Sequence, residues 1–239
     1  MNKFTTGASP KGTYLSLIGC PKFDYYQVML MKNILGWIAV AVLAAGAWET
    51  VAQTDQNQRR KAFQASKQMQ SLGDFADAVE VLQPLADAGD DLAIYTIGVL
   101  YQTGGEDLKQ DYAKALSYYQ KGADRQHAGS MRQLGNMYAK GLGVPANSSQ
   151  AAQWYENAAK RGDALAQLIV GQMYASGQGK PKNNTEAYRW LTLAAAGVFF
   201  DDENAKRDET KTALKTLVAS MTPSDINSGE KLVREFGTK

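Results

Sequence analysis

Residues 134–145 read LGNMYAKGLGVP, and residues 170–181 read VGQMYASGQGKP. The phrases stand 36 positions apart, and the interval holds residue by residue: Gly135 with Gly171, Tyr138 with Tyr174, Gly141 with Gly177, Gly143 with Gly179, Pro145 with Pro181. It also holds outside them. Ala115, Ala151 and Ala187 form one series, Tyr118, Trp154 and Trp190 a second, Ala123, Ala159 and Ala195 a third. A weaker copy lies 37 residues upstream, where Ala78 corresponds to Ala115, Ala86 to Ala123, Gly98 to Gly135, Tyr101 to Tyr138 and Gly104 to Gly141. A fixed period of this length is the signature of stacked repeats, here three full units and a fourth half-unit.

Each unit reads as two helices. From Asp111 to Arg125, Ala115, Tyr118, Tyr119, Gly122 and Ala123 recur at spacings of three and four, which places them on one helical face. Capping residue types open this helix in each unit: Asp111, then Asn147 to Ser149, then Asn183 to Thr185. A second helix is expected from Ala128 to Lys140, with Met131, Leu134, Met137 and Tyr138 as its stripe. Gly141, Gly143 and Pro145 end it, because glycine takes the left-handed turn and proline cannot continue a helix. Gly135 and Gly171 fall mid-helix, where glycine costs up to ~1 kcal/mol relative to alanine; close approach of a neighbouring helix is the expected compensation. One such hairpin cannot bury its apolar face alone, whereas stacked hairpins can. The fold class that follows is all-α: a right-handed α-solenoid of stacked helix-turn-helix repeats with capping helices at both ends.

The units stand as ALSYYQKGA, LGNMY and GLGVP, then as AAQWYENAA, VGQMY and GQGKP. This pattern resembles the Sel-1-like repeat, a tetratricopeptide-like α-solenoid, over about residues 74–200. The first unit departs from it: QTGGEDLK lacks the proline, and Pro84 enters the first helix. The resemblance implies a protein that acts by binding other proteins. Some secreted members of the family carry a cysteine pair in each repeat and are linked to β-lactams. Here Cys20 is the only cysteine, which weakens that carry-over and removes the basis for disulfides and for cysteine metal sites.

The segment from Met31 has a lysine, an apolar run from Ile34 to Trp48, and Thr50-Val51-Ala52. It has the form of a secretory signal peptide over residues 31–52, its apolar run short for the ~20 residues of a bilayer span. Translation is therefore expected to start near Met31, with residues 1–30 an over-called start, and the protein to be periplasmic. An uncleaved anchor is the alternative. Leu17-Ile18-Gly19-Cys20 has the form of a lipoprotein box but lacks the preceding apolar region. Of 26 basic and 24 acidic residues, four basic (Lys3, Lys11, Lys22, Lys32) and two acidic (Asp24, Glu49) precede residue 53, which leaves 22 of each. Nucleic-acid binding requires a basic excess, so neither that nor attraction to an anionic membrane is expected. Residues 53–60 read as a loose leader, Lys61 to Leu72 as a capping helix, and residues 201–239 as two closing helices, the second opened by Thr222-Pro223-Ser224-Asp225.

Catalytic constellations are missing. His127 is the only histidine and reads as a solvated residue between two helices, with no second histidine or cysteine to complete a dyad or zinc site. The adjacent pairs Asp90-Asp91 and Asp201-Asp202 read as caps and turns. The glycine-rich turns follow helices, whereas phosphate-cradling loops normally follow strands. Asn147-Ser148-Ser149 and Asn183-Asn184-Thr185 match a glycosylation pattern but sit where the repeat needs a cap. No catalytic residue, metal or cofactor is expected.

The column Tyr118, Trp154, Trp190 reads as inter-repeat packing rather than a ligand-stacking ladder, because it follows the structural period. Phe199 and Phe200 read equally as packing or as an exposed anchor. The positions that vary while the frame repeats are Ser117, Gln153 and Arg189, and Lys121, Asn157 and Leu193. In related solenoids the first helix lines the concave surface, so these six are the candidate protein-binding residues. Ala115, Gly135, Tyr138, Ala151, Gly171, Tyr174 and Ala187 are structural repeat positions. The expected function is a non-enzymatic protein-interaction module. Some small secreted members of the resembled family neutralise a phospholipase delivered by type VI secretion, so an immunity protein is the sharper expectation. An envelope scaffold and a β-lactam- or cell-wall-acting enzyme are the alternatives.

Overall fold

The computed structural model describes residues 55–197 and 204–236. The chain divides after Asn57, and the architecture below is that of the unit from Gln58 onward. The segments read as an over-called start and as a signal peptide, with Cys20, lie outside the described residues, as do Phe199, Phe200, Asp201 and Asp202. Ten helices and no strand occur among the described residues: α1 over residues 55–72, α2 Phe75–Asp87, α3 Asp91–Thr103, α4 Tyr112–Asp124, α5 Ala128–Lys140, α6 Ser148–Lys160, α7 Ala164–Ser176, α8 Asn184–Ala196, α9 Asn204–Ala219 and α10 Pro223–Phe236. Helices α2 to α8 are 13 residues each and pack successively, as an α-solenoid requires. None of the described helices is long and apolar enough to cross a membrane. Helix α1 already includes residues 55–60, so this polar stretch is not a loose leader; Gln58, Arg59, Arg60 and Lys61 are good helix formers.

Local chemistry sets each boundary. Asp111, Asn147 and Asn183 cap the first helices by accepting from the amides of Lys114 (2.9 Å), Gln150 (3.0 Å) and Glu186 (3.1 Å). Their own amides donate to the carbonyls of Tyr101 (2.8 Å), Tyr138 (2.8 Å) and Tyr174 (2.9 Å). The repeated tyrosine thus ties the end of one helix to the start of the next. Gly141 (φ 70°) and Gly177 (φ 81°) take the left-handed conformation that closes α5 and α7. The first unit lacks the proline turn, and its loop is used differently. Asp107 accepts from the amides of Phe75 and Ala76 at 3.0 and 2.9 Å, supplying the α2 cap that Asp74 does not.

The mid-helix glycines explain the stacking. A Cβ on Gly98 would stand 2.7 Å from the Tyr119 ring, one on Gly135 2.6 Å from the Tyr155 ring, and one on Gly171 2.7 Å from Leu191 Cγ. Each glycine is a seat for a large side chain one helix further on. A neighbouring helix does approach closely, with a tyrosine ring inserted at Gly98 and Gly135, and the Leu191 side chain and backbone nitrogen at Gly171. Tyr119 is fully buried and Tyr155 nearly so, and their hydroxyls donate to Gln102 Oε1 (2.7 Å) and Asn136 Oδ1 (2.8 Å). Burial pushes the Tyr155 phenol up to about 12. Around these seats alanine is the commonest core residue: Ala115, Ala151 and Ala187 are fully buried, as is Ala158.

Gly135→Ala carries two opposing effects. Alanine favours a helix by up to ~1 kcal/mol, whereas overpacking a fixed core costs about 1–3 kcal/mol. Because the obstacle is a buried, hydrogen-bonded ring, the net expected change is a loss of about 1–2 kcal/mol, seen as a lower urea midpoint. An unchanged or raised midpoint would show that the seat has slack.

Candidate protein-binding face

The first helix of each unit turns Ala115, Tyr119 and Ala123, or their equivalents, toward the core. The opposite ridge follows from spacings of four, three and four: Ala113, Ser117, Gln120 and Asp124 on α4; Ser149, Gln153, Glu156 and Lys160 on α6; Thr185, Arg189, Thr192 and Ala196 on α8. On α4 all four are exposed. On α6 only Glu156 is half-buried, held by Lys180 Nζ at 2.9 Å and the Tyr174 hydroxyl at 2.8 Å. Burial, with Glu156 beside it, pushes the Tyr174 phenol up to about 12. On α8, Thr185, Arg189 and Thr192 are all half-buried.

Both α9 and α10 pack on α8. Helix α10 sets Gly229 against the Tyr188 ring and Phe236 edge-on to Trp190 at 5.6 Å between centroids. Around the α8 axis one arc between Tyr188 and Trp190 is filled by the buried Ala187, Leu191 and Ala194. The other arc carries Arg189, so α10 spans that flank.

The six candidate residues therefore divide. Ser117 and Lys121 share a groove of about 730 Å³ over α4, with Leu116, Gln120, Arg125 and Tyr138 among its walls. The Lys121 ammonium donates to the Ala86 carbonyl of the preceding unit at 3.0 Å. Gln153 is exposed one unit further on, and Asn157 half-buried beside it. Arg189 pairs with Glu186 at 2.7 Å and lies over the Trp190 ring, 4.4 Å from its centroid. Leu193 packs against the same core as Phe236. The aromatic column packs between units: Tyr118 stacks on Tyr101 and donates to Gln83, and Trp190 is 1% exposed.

His127 is half-buried and caps α5 rather than lying in a solvated loop. Its Nδ1 accepts from the Ser130 amide at 3.2 Å, and its ring lies 5.2 Å from that of Tyr95. Asp90 and Asp163 hold the same position in the neighbouring units, accepting from Ala93 and Ala166. Repeat register was the signal for this role. Burial raises Asp90, but Arg59 and the Ala93 and Leu92 amides outweigh it and hold the carboxyl below its ordinary value. No group of three or more His, Cys, Asp or Glu able to hold a metal occurs among the described residues.

Burial, against the pull of Asp91 and Asp163, holds the His127 pKa below its ordinary value. The unfolded chain then takes up a proton first as pH falls. Stability contributed by this group is complete above the unfolded value of about 6.5 and is lost as pH drops from there through the folded value. Between pH 8 and 5.5 the native chain is expected to lose stability, with the loss confined to the range below about pH 6.5. His127→Asn keeps a neutral cap and should flatten that slope in urea unfolding at the two pH values. An equal slope in both proteins would assign it elsewhere.

The Sel1 repeat family model matches residues 91–127, 128–163 and 164–197. Among curated proteins, the chain is 36% identical over 73 residues to the ERAD-associated E3 ubiquitin-protein ligase component HRD3A of Arabidopsis thaliana, a match covering 30% of this chain and 11% of the plant protein. The chain thus spans about a tenth of that relative's length. Among solved structures, a Sel1 repeat protein from Oxalobacter formigenes is 30% identical, with 54% of this chain and 95% of that one covered and a TM-score of 0.46. The immunity protein Pa5087 from Pseudomonas aeruginosa is 16% identical, with 74% and 80% covered and a TM-score of 0.35.

Proposed function

We propose, for a chain that belongs to the Sel1 repeat family through residues 91–197, that it is a non-catalytic binding module whose protein partner lies along the ridge of α4 and α6. One observation carries the reading. Core positions repeat from unit to unit, while the ridge changes from Ser117 to Gln153 and from Gln120 to Glu156, and on α4 it stands exposed beside a groove. A frame that repeats beneath a surface that varies suits recognition of a specific partner.

The finer proposal is an immunity protein, acting in the periplasm after removal of residues 31–52 and neutralising a secreted phospholipase. The signal-like segment, the balanced charge of residues 53–239 and the lack of cysteine beyond Cys20 support it. An envelope scaffold that assembles partners through the same ridge is the alternative. The two readings differ in what the ridge holds.

The test uses the tagged full-length chain expressed in its source cells, with proteins retained from the envelope fraction identified by mass. Ser117→Arg combined with Gln153→Arg is expected to weaken retention of the main partner at least about tenfold, or about 1.4 kcal/mol, while the urea midpoint stays unchanged. Lys211→Glu, on the exposed side of α9, should leave retention intact. A phospholipase as main partner supports immunity; a set of assembly proteins moves the reading to the scaffold. Equal retention by the ridge variant sinks the ridge itself.

A further inference from the structure

The α8 part of the ridge is already occupied by the chain's own last helix. Gly229, Leu232, Val233 and Phe236 recur at i, i+3, i+4 and i+7 on α10, the pattern by which an amphipathic helix docks into a groove. Gly229 is the only buried residue of the helix, and a Cβ there would stand 2.5 Å from the Tyr188 ring. Two turns on, Phe236 meets Trp190 edge-on. The other two apolar residues of the face, Leu232 and Val233, are half-buried.

The fit is incomplete on its polar side. Arg189 Nε, Trp190 Nε1 and Thr192 Oγ1 are buried without a hydrogen-bond partner among the described residues. Each buried, unmade hydrogen bond costs about 1–3 kcal/mol. All three lie on α8, the helix that α10 covers. By contrast, Ser117 and Gln153, the counterparts of Arg189, and Gln120, the α4 counterpart of Thr192, are exposed to water; Glu156, the α6 counterpart of Thr192, is half-buried but held by Lys180 and Tyr174.

The geometry points to α10 as a displaceable intramolecular ligand. It closes the α8 end of the ridge until a protein partner supplies an amphipathic helix with a small residue at i, apolar residues at i+3 and i+4, and an aromatic residue at i+7. Displacement joins the α8 ridge to the open ridge of α4 and α6, so one continuous surface becomes available. The partner's affinity is reduced by the fraction of time the seat is closed. This inference rests on the ridge being the binding face, and it adds how that face is regulated.

The probe is a fluorescein-labelled peptide of residues 222–239, titrated into the full-length chain and into full-length Gly229→Leu. The larger side chain has no room against Tyr188, so it unseats α10 and leaves α8 open. Saturable binding to the variant, at least tenfold tighter than to the native chain and abolished by Phe236→Ala in the peptide, is the expected result. A folded variant that does not bind the peptide overturns the proposal. Amide hydrogen exchange of the native chain tests it without any substitution. Amides of α10 should exchange at least tenfold faster than those of α8, because α10 detaches alone; exchange of the two helices in step overturns it. Neither readout uses the partner. A ridge variant that loses its partner while α10 stays seated would leave the binding face standing and remove only the displaceable helix.

Discussion

The structure depends on a side chain seated in a missing one. Tyr119 fills the space over Gly98, Tyr155 that over Gly135, and Leu191 that over Gly171. Each contact joins one helix to the next, and each falls inside one matched Sel1 repeat, 91–127, 128–163 or 164–197, so the seat is built into the repeat itself. It is also directional: a large side chain, Tyr119, Tyr155 or Leu191, must arrive at the one residue without a Cβ, which fixes the register of the two helices. A smooth alanine surface would bury apolar area equally well at several registers. The tyrosine hydroxyls add a second constraint, since a buried O–H must meet an acceptor, and Gln102 and Asn136 stand at the one depth that satisfies it.

Caps and turns then work within that frame. A side-chain cap and a backbone bond to the preceding tyrosine carbonyl converge on Asp111, Asn147 and Asn183. The residue opening a helix is thus held from both sides. With spacing, register and helix starts fixed by inward-facing groups, the ridge residues contribute little to the fold. That is why Ser117 can become Gln153 without disturbing the stack. Freedom on the ridge is a consequence of constraint in the core.

Much of this was legible in the sequence, and the limits have physical reasons. The 36-residue period identified the repeats, and Asn147 and Asn183 marked helix starts, because period and cap chemistry are local. The mid-helix glycines announced a close contact, but a missing Cβ cannot say whether backbone or ring fills its place. His127 looked solvated because histidine is an uncommon cap; only alignment with Asp90 and Asp163 reveals the role. The α1 helix begins earlier than Lys61 because a polar run of good helix formers shows no apolar stripe. The cover over α8 was not legible, since Gly229 and Tyr188 are 41 positions apart and follow no period.

That last contact changes how the variable positions should be read. Along one column the residues run Lys121, Asn157, Leu193, and along a neighbouring one Leu116, Ala152, Tyr188. Read as recognition, the series describes a surface whose taste shifts from unit to unit. The structure supplies another cause for its last members. A terminal unit has no following unit to cover its side, so it must either become polar or be covered by something else. Here it is covered: Leu193 and Tyr188 are apolar because Phe236 and Gly229 of α10 lie nearby. Variation at Leu193 and Tyr188 therefore fits the chain's own helix, whereas the varying positions that are exposed on α4 and α6, Ser117, Lys121 and Gln153, face water and are free to encode a partner. A helix selected to fit one end of the ridge also defines, in its small, apolar and aromatic positions, the shape a competitor must present there.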